Sequence, residues 1–139
     1  MLISLPTETV YGIFCPFDNK DEIEEIYRIK GRDFSKPMAI HTVPEFLPED
    51  VKKMFERFGY NALTIIYNDV GYRIPQNDVF CDYVKKLGKS LIGTSANPSG
   101  EKPAVTAGEV RDYFPDLKVV DGGKCSVGVA STVIKVLRF

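Results

Sequence analysis

Pro6-Thr7-Glu8-Thr9-Val10-Tyr11-Gly12 follows directly on a short apolar run, Leu2-Ile3-Ser4-Leu5. The run reads as a strand, and the segment after it gathers hydroxyls, a carboxylate and a glycine at the strand's end. α/β proteins build polar pockets in this way, where a strand hands over to a loop. Pro, Thr and Gly are also ordinary turn residues, so the segment alone is equally a plain strand-to-loop turn. Its meaning depends on what the rest of the chain brings to the same place.

Downstream, Asn19 is a helix cap followed by Asp21 and Glu22, which suit the positive end of a helix. Ile23, Ile26 and Tyr27 recur at helical spacing until Gly31, which puts Lys30 on the inward stripe. Met38 to Thr42 reads as a short strand. A second helix opens at Pro48, with Val51, Met54, Phe55 and Phe58 as its core face, and closes at Gly59. Ala62 to Tyr67 is a β-branched strand, tightly joined through Asn68-Asp69-Val70-Gly71 to Tyr72-Arg73-Ile74. A third helix covers about Asp78 to Leu87, using Phe80, Tyr83, Val84 and Leu87. Ser90 to Gly93 is a strand running into Thr94-Ser95-Ala96-Asn97-Pro98-Ser99-Gly100. Thr106 caps a short helix carrying Val110 and Phe114. Leu117 to Val120, a Gly122-Gly123 turn and a strand from about Val129 to Leu137 complete the order. Alternating strands and amphipathic helices predict a sheet with helices packed on it, mixed rather than purely parallel.

The 139 residues, 44% hydrophobic and 27% charged, are expected to form one globular domain. No apolar run is long enough to span a bilayer, and no secretion signal is visible at the N-terminus, so a cytoplasmic location is the expectation. Cys15, Cys81 and Cys125 are scattered, and with His41 as the one histidine a Cys/His zinc site is not expected. Net charge is −1, so an anionic ligand must be held by a local cluster rather than by the field of the whole molecule.

Such a cluster is Lys30-Gly31-Arg32 with Lys36-Pro37. Its cations suit a phosphate chain, Arg32 as a two-pronged fork and Lys30 as a point charge, or else they decorate a helix C-terminus. The inward direction of Lys30 favours the first, because a buried ammonium without a partner is costly. The loop Thr94 to Gly100 offers hydroxyls and an amide for nucleotide recognition, yet it is neither a Walker loop nor a dinucleotide fingerprint. Gly128-Val129-Ala130-Ser131-Thr132-Val133 adds two hydroxyls at the last strand. Ser95 and Ser131 lack the surroundings of a serine nucleophile. Arg73, between apolar strand residues, must either reach solvent or meet a carboxylate or phosphate. Glu8 either holds Mg²⁺ or pairs with one of the arginines.

In this order Pro6 to Gly12, Lys30-Gly31-Arg32, Lys36-Pro37, Arg73-Ile74-Pro75, Ser95 to Gly100 and Ser131-Thr132-Val133 resemble the YrdC family of threonylcarbamoyl-AMP synthases. The resemblance implies an α+β (α/β-like) fold of the YrdC/RibB type, a twisted mixed β-sheet flanked by helices around a concave basic cavity, as a single domain over 1–139. It implies a reaction in which L-threonine, bicarbonate and ATP give threonylcarbamoyl-adenylate and pyrophosphate. Partner proteins would then use the product for t6A modification of tRNA, and Mg²⁺ would accompany ATP. Matched position by position, Thr9, His41, Arg73, Ser95 and Ser131 fall where family members hold threonine. Arg32, Lys36 and Asn97 fall at ATP positions, with Lys30 in the same group and Lys30 and Arg32 the expected catalytic cations. No metal ligand is assignable.

The family's central Pro-Gly-Pro-Leu-Thr is reduced to Asn61-Ala62-Leu63-Thr64, the connection before Arg73 is short, and Asp69 replaces a threonine that helps with the nucleotide. The family's preceding helix and a late arginine that contacts ATP have no counterpart between Met1 and Phe139. A smaller, more open pocket and weaker ATP binding are therefore expected. Rival readings are a non-catalytic RNA-binding module that lays the concavity on tRNA or double-stranded RNA, and a paralogue with another carbamoylation role.

Overall fold

A computed structural model describes residues 2–137; Met1, Arg138 and Phe139 lie outside it. Its centre is one twisted sheet of β1 (Ile3–Leu5), β2 (Gly12–Pro16), β3 (Ala39–His41), β4 (Leu63–Tyr67), β5 (Val70–Arg73), β6 (Leu91–Ser95), β7 (Lys118–Val119) and β8 (Thr132–Val136). The strands lie in the order β7-β1-β2-β6-β3-β5-β4-β8. The β1–β7, β3–β5 and β4–β8 pairs are parallel and the others antiparallel, so the sheet is mixed, as the short polar connections predicted. Among the described residues there are four α-helices, α1 (Lys20–Lys30), α2 (Glu49–Phe58), α3 (Asp78–Leu87) and α4 (Ala107–Tyr113). None is long and apolar enough to cross a membrane.

Local chemistry sets the helix ends. Asn19 accepts from the Glu22 N–H and Gly31 ends α1 in the left-handed region at φ 64°. Asn77 caps α3 and Thr106 caps α4 in the same manner. The β4–β5 turn narrows to Asn68 and Asp69, both at positive φ (52° and 64°), as a two-residue hairpin of this twist demands. Phe58 and Leu87, expected on core faces, are exposed instead. Each is the last residue of its helix, and Phe58 lies under the Arg57 guanidinium.

The pleat divides the sheet. One face carries Ile13, Cys15 and Ile92 against Ile26 and Tyr27 of α1 and Val110 of α4, and farther along carries Leu63, Ile65 and Ile134 against Val51, Met54 and Phe55 of α2. On the opposite face α3 covers only Ile3, Leu5, Phe14 and Leu91, through Phe80 and Val84. The remainder of that face, from Phe14 toward β8, is free of helices and forms a hollow. The last strand is shorter than its sequence suggests. Val127 and Gly128 spend their N–H groups on the carbonyls of Glu8 and Thr9, not on the sheet.

Candidate functional site

Strand register alone places a row of functional side chains in the hollow. His41 is paired with Arg73, Arg73 with Thr64, and Thr64 with Val133, across β3, β5, β4 and β8. Paired residues point to one side of a sheet, so all four reach the open face. Phe14, Gly93 and Ala39 form the adjoining row. The hollow holds about 350 Å³ and is closed at its margins by Thr7, Thr9, Arg32, Thr94, Ser95 and Ser131. This lies within the roughly 300–1,000 Å³ of ordinary small-molecule sites. A larger groove of about 470 Å³ lies elsewhere, between α1 and the end of α4, and contains none of the expected site residues.

Thr9, Arg32, His41, Arg73, Ser95 and Ser131 are therefore brought together from separate strands and loops. Lys30, Lys36 and Asn97 do not line the cavity. Lys30 is buried beneath it, where Nζ donates to the Ser95 carbonyl while its own carbonyl accepts from Ser99 N–H. Burial, and secondarily the charge of Arg32, lower its pKa to about 8. The inward direction read from the helical stripe is correct, but the partner is a main-chain carbonyl at the end of β6. Lys36 is exposed on the 31–37 loop, beside the site but not in its wall. Asn97 is buried, its amide donates to Pro98 O, and its Oδ1 has no partner. Asp69, expected beside the nucleotide, sits at the β4–β5 hairpin tip, beyond the end of β4 and five residues on from Thr64.

The Pro6 to Gly12 segment is held by its own hydroxyls. Thr7 Oγ1 donates to the Val10 carbonyl at 2.7 Å and accepts from the N–H groups of Thr9 and Val10. Its proton is thus committed, so Thr9 is the donor in the 3.0 Å Thr7–Thr9 pair and keeps its lone pairs for the cavity. His41 has a similar polarity. A carbonyl can only accept, so Nδ1–H donates to Ala39 O at 2.9 Å and Nε2 is left as an acceptor. Burial, reinforced by the charge of Arg73, pushes the His41 pKa down to about 3 and keeps the ring neutral. Its edge contacts Phe14 at 4.9 Å between centroids.

Arg73 and Glu8 form a buried ion pair. Of the two fates open to Glu8, pairing is the one observed, and its second oxygen accepts from Ala62 N–H at 3.1 Å. Burial lowers the Arg73 pKa while Glu8 opposes that shift. Arg73 Nε is buried without a partner, and Nη2 is the guanidinium nitrogen engaged by Glu8. Arg32 is braced by its loop, donating to Pro37 O at 2.9 Å. Among the described residues no three His, Cys, Asp or Glu side chains cluster as a metal site. With Glu8 already engaged, the residues present do not fit a protein-held Mg²⁺.

Sequence reasoning missed the floor. Phe14 lies across Gly12 and Gly93, and a Cβ on Gly93 would sit 2.1 Å from Ile13 O and 2.5 Å from the Phe14 ring. The available signal was Gly12 and Gly93 flanking apolar runs, which marks close backbone approach in a strand. Thr64, bonded to Ser131 through their hydroxyls at 2.7 Å, was passed over as a site residue as well.

This arrangement, a mixed sheet with a polar hollow on its half-covered face, defines an α/β small-molecule-binding fold. A model of the Sua5_yciO_yrdC family, described as "Telomere recombination", matches residues 1–138, and the chain belongs to that family. It is 31% identical to the Bacillus subtilis protein named threonylcarbamoyl-AMP synthase, over 96% of this chain and 46% of that one. The structure of P. abyssi Sua5 complexed with L-threonine superposes with a TM-score of 0.86 at 25% identity, over 99% of this chain and 48% of that chain. E. coli YciO shares the fold, at 18% identity and a TM-score of 0.79, over 97% and 77% of the two chains. The chain thus spans about half the length of the B. subtilis, P. abyssi and Bos taurus proteins named threonylcarbamoyl-AMP synthase that it matches.

Proposed function

We propose that the hollow binds L-threonine and ATP and that the chain acts as a threonylcarbamoyl-AMP synthase, a nucleotidyl transfer serving t6A synthesis on tRNA. The observation carrying this reading is the convergence of Thr9, Arg32, His41, Arg73, Ser95 and Ser131 on one cavity of about 350 Å³. The threonine-bound P. abyssi relative and the names of the sequence relatives support it.

In this reading the Arg73 guanidinium, which lines the cavity and is tied to Glu8 through Nη2, meets the threonine carboxylate. Thr9 Oγ and His41 Nε2, both acceptors, suit the hydrogen-bearing groups of the amino acid. Ser95 and the Thr64–Ser131 pair close that end. Arg32 and Lys36 stand on the side open to a triphosphate, and Asn97 with its free Oδ1 suits the nucleoside. The threonine amine and bicarbonate combine to a carbamate with loss of water, and a carbamate oxygen attacks the α-phosphorus of ATP as the bond to pyrophosphate breaks. The protein forms no covalent bond; it orients the reactants and stabilises the leaving charge with Arg32. Lys30 acts one layer below by holding the end of β6 at Ser95. Any Mg²⁺ would enter bound to ATP phosphates. The t6A-transfer proteins, the tRNA and a cytoplasmic setting belong to the same reading.

The test is purified chain with ATP, L-threonine and bicarbonate, followed by pyrophosphate release. Threonine-dependent release that disappears in Arg32→Ala is expected. Salt-sensitive binding of tRNA or double-stranded RNA without pyrophosphate would favour the RNA-binding module instead.

A further inference from the structure

Glu8 makes more contacts than neutralising an arginine requires. The residue is 5% exposed, and its two side-chain oxygens take different partners, Arg73 Nη2 on β5 and the N–H of Ala62 at the entrance to β4. Ala62 is held at φ 53°, a conformation that a residue with a Cβ adopts only when its surroundings impose it. The carbonyl of Ala62 in turn accepts from Thr132 N–H at 2.8 Å, next to Ser131. The main-chain carbonyl of Glu8 accepts from Val127 N–H at 2.9 Å and from the Ser126 hydroxyl. One residue thus ties the motif loop to Arg73, to the strand bearing Thr64, and to the segment bearing Ser131.

We propose that Glu8 is a positioning residue: it fixes Arg73 by one nitrogen and the Ala62–Thr132 connection by an N–H, so that Arg73, Thr64 and Ser131 keep one spacing around the ligand. This rests on the cavity being an L-threonine site. A carboxylate that served only to offset charge would need the guanidinium alone. The second oxygen is directed at a backbone group that carries no net charge, and the partner of that group leads to the opposite wall. Arg73, held by one nitrogen, leaves the rest of its guanidinium for a ligand in the cavity.

Two substitutions separate the roles. Glu8→Gln leaves one acceptor where the carboxylate has two, and Glu8→Asp keeps the charge but loses the reach. Calorimetry with L-threonine and, separately, ATP should show each variant binding L-threonine about tenfold or more weakly, with ATP affinity little changed. Hydrogen exchange at the Ala62 and Thr132 amides should quicken in Glu8→Asp. Tighter L-threonine binding in Glu8→Gln would reduce Glu8 to a charge offset and overturn the proposal. So would a parallel loss of both ligands, or wild-type behaviour in Glu8→Asp. If the unsubstituted chain takes up no L-threonine, the threonine reading itself fails. The exchange measurement then still decides the strut, and unchanged protection at Ala62 and Thr132 overturns it.

Discussion

His41 and Arg73 are register partners on the adjacent parallel strands β3 and β5, and both side chains rise from the sheet into the same hollow. The pairing gives the site its polarity. Arg73 is a donor tied to Glu8 through one nitrogen, and its charge helps keep the neighbouring imidazole neutral, hence an acceptor.

Removing Arg73 should separate the two ligands. Arg73→Ala is expected to raise the threonine requirement for pyrophosphate release at least about tenfold, because a charge-assisted contact is lost. The ATP requirement should change much less, and the reverse pattern would move Arg73 out of its assigned role. The same substitution strands Glu8 in a buried site, so urea unfolding should show a loss of about 3–5 kcal/mol.

Acid should act through His41. Its folded pKa is about 3 against an ordinary 6.5, so between those values the unfolded chain binds a proton that the folded chain refuses. The stability held above pH 6.5 therefore falls as pH drops toward 3, at up to about 1.4 kcal/mol per pH unit from this group. Unfolding free energies of wild type and His41→Asn over that range should differ in slope. Parallel curves would contradict the burial argument.

Lys30 should act at the other end of the scale. Below pH 8 it is charged in both states, and its burial destabilises the fold in full. From about 8 to 10.5 the folded protein loses the proton first, so stability should rise with pH. Lys30→Met should abolish that rise. If the rise persisted in the variant, Lys30 would not be its source.

The floor admits no side chain at position 93. In Gly93→Ala the new Cβ would meet the Ile13 carbonyl at 2.1 Å, and backbone cannot give way as a flexible side chain can. A loss of about 2 kcal/mol or more is expected in thermal or urea unfolding. Gly108→Ala in α4 is the control: its nearest neighbour is 3.8 Å away, and it should gain about 0.5–1 kcal/mol.

What the sequence disclosed was mostly local. Asn19 and Gly31 bound α1 because capping depends on neighbours within one turn, and helical spacing alone turned Lys30 inward. The partner that meets Lys30 there, the Ser95 carbonyl, is distant in sequence and has no local signature. Strand β2 went unassigned for a related reason. Ile13-Phe14-Cys15 is buried on both faces and shows no alternation, so periodicity does not mark it as a strand. With β2 went Phe14 and its contact with Gly93, and so the cavity floor. Glu8 had two chemically reasonable fates, and only the folded position of Arg73 decided between them. The residues around the hollow were chosen by motif order, whereas their meeting depends on a strand order that no short segment encodes.

The central claim concerns where L-threonine sits, and an NMR titration of the ¹⁵N-labelled chain reads that position directly. L-threonine should shift the signals of Thr9, His41, Arg73, Ser95 and Ser131 together along one saturable curve, with D-threonine much weaker. Saturable shifts centred on the groove near Tyr113 and Leu117, or no shifts at millimolar L-threonine, would contradict the account.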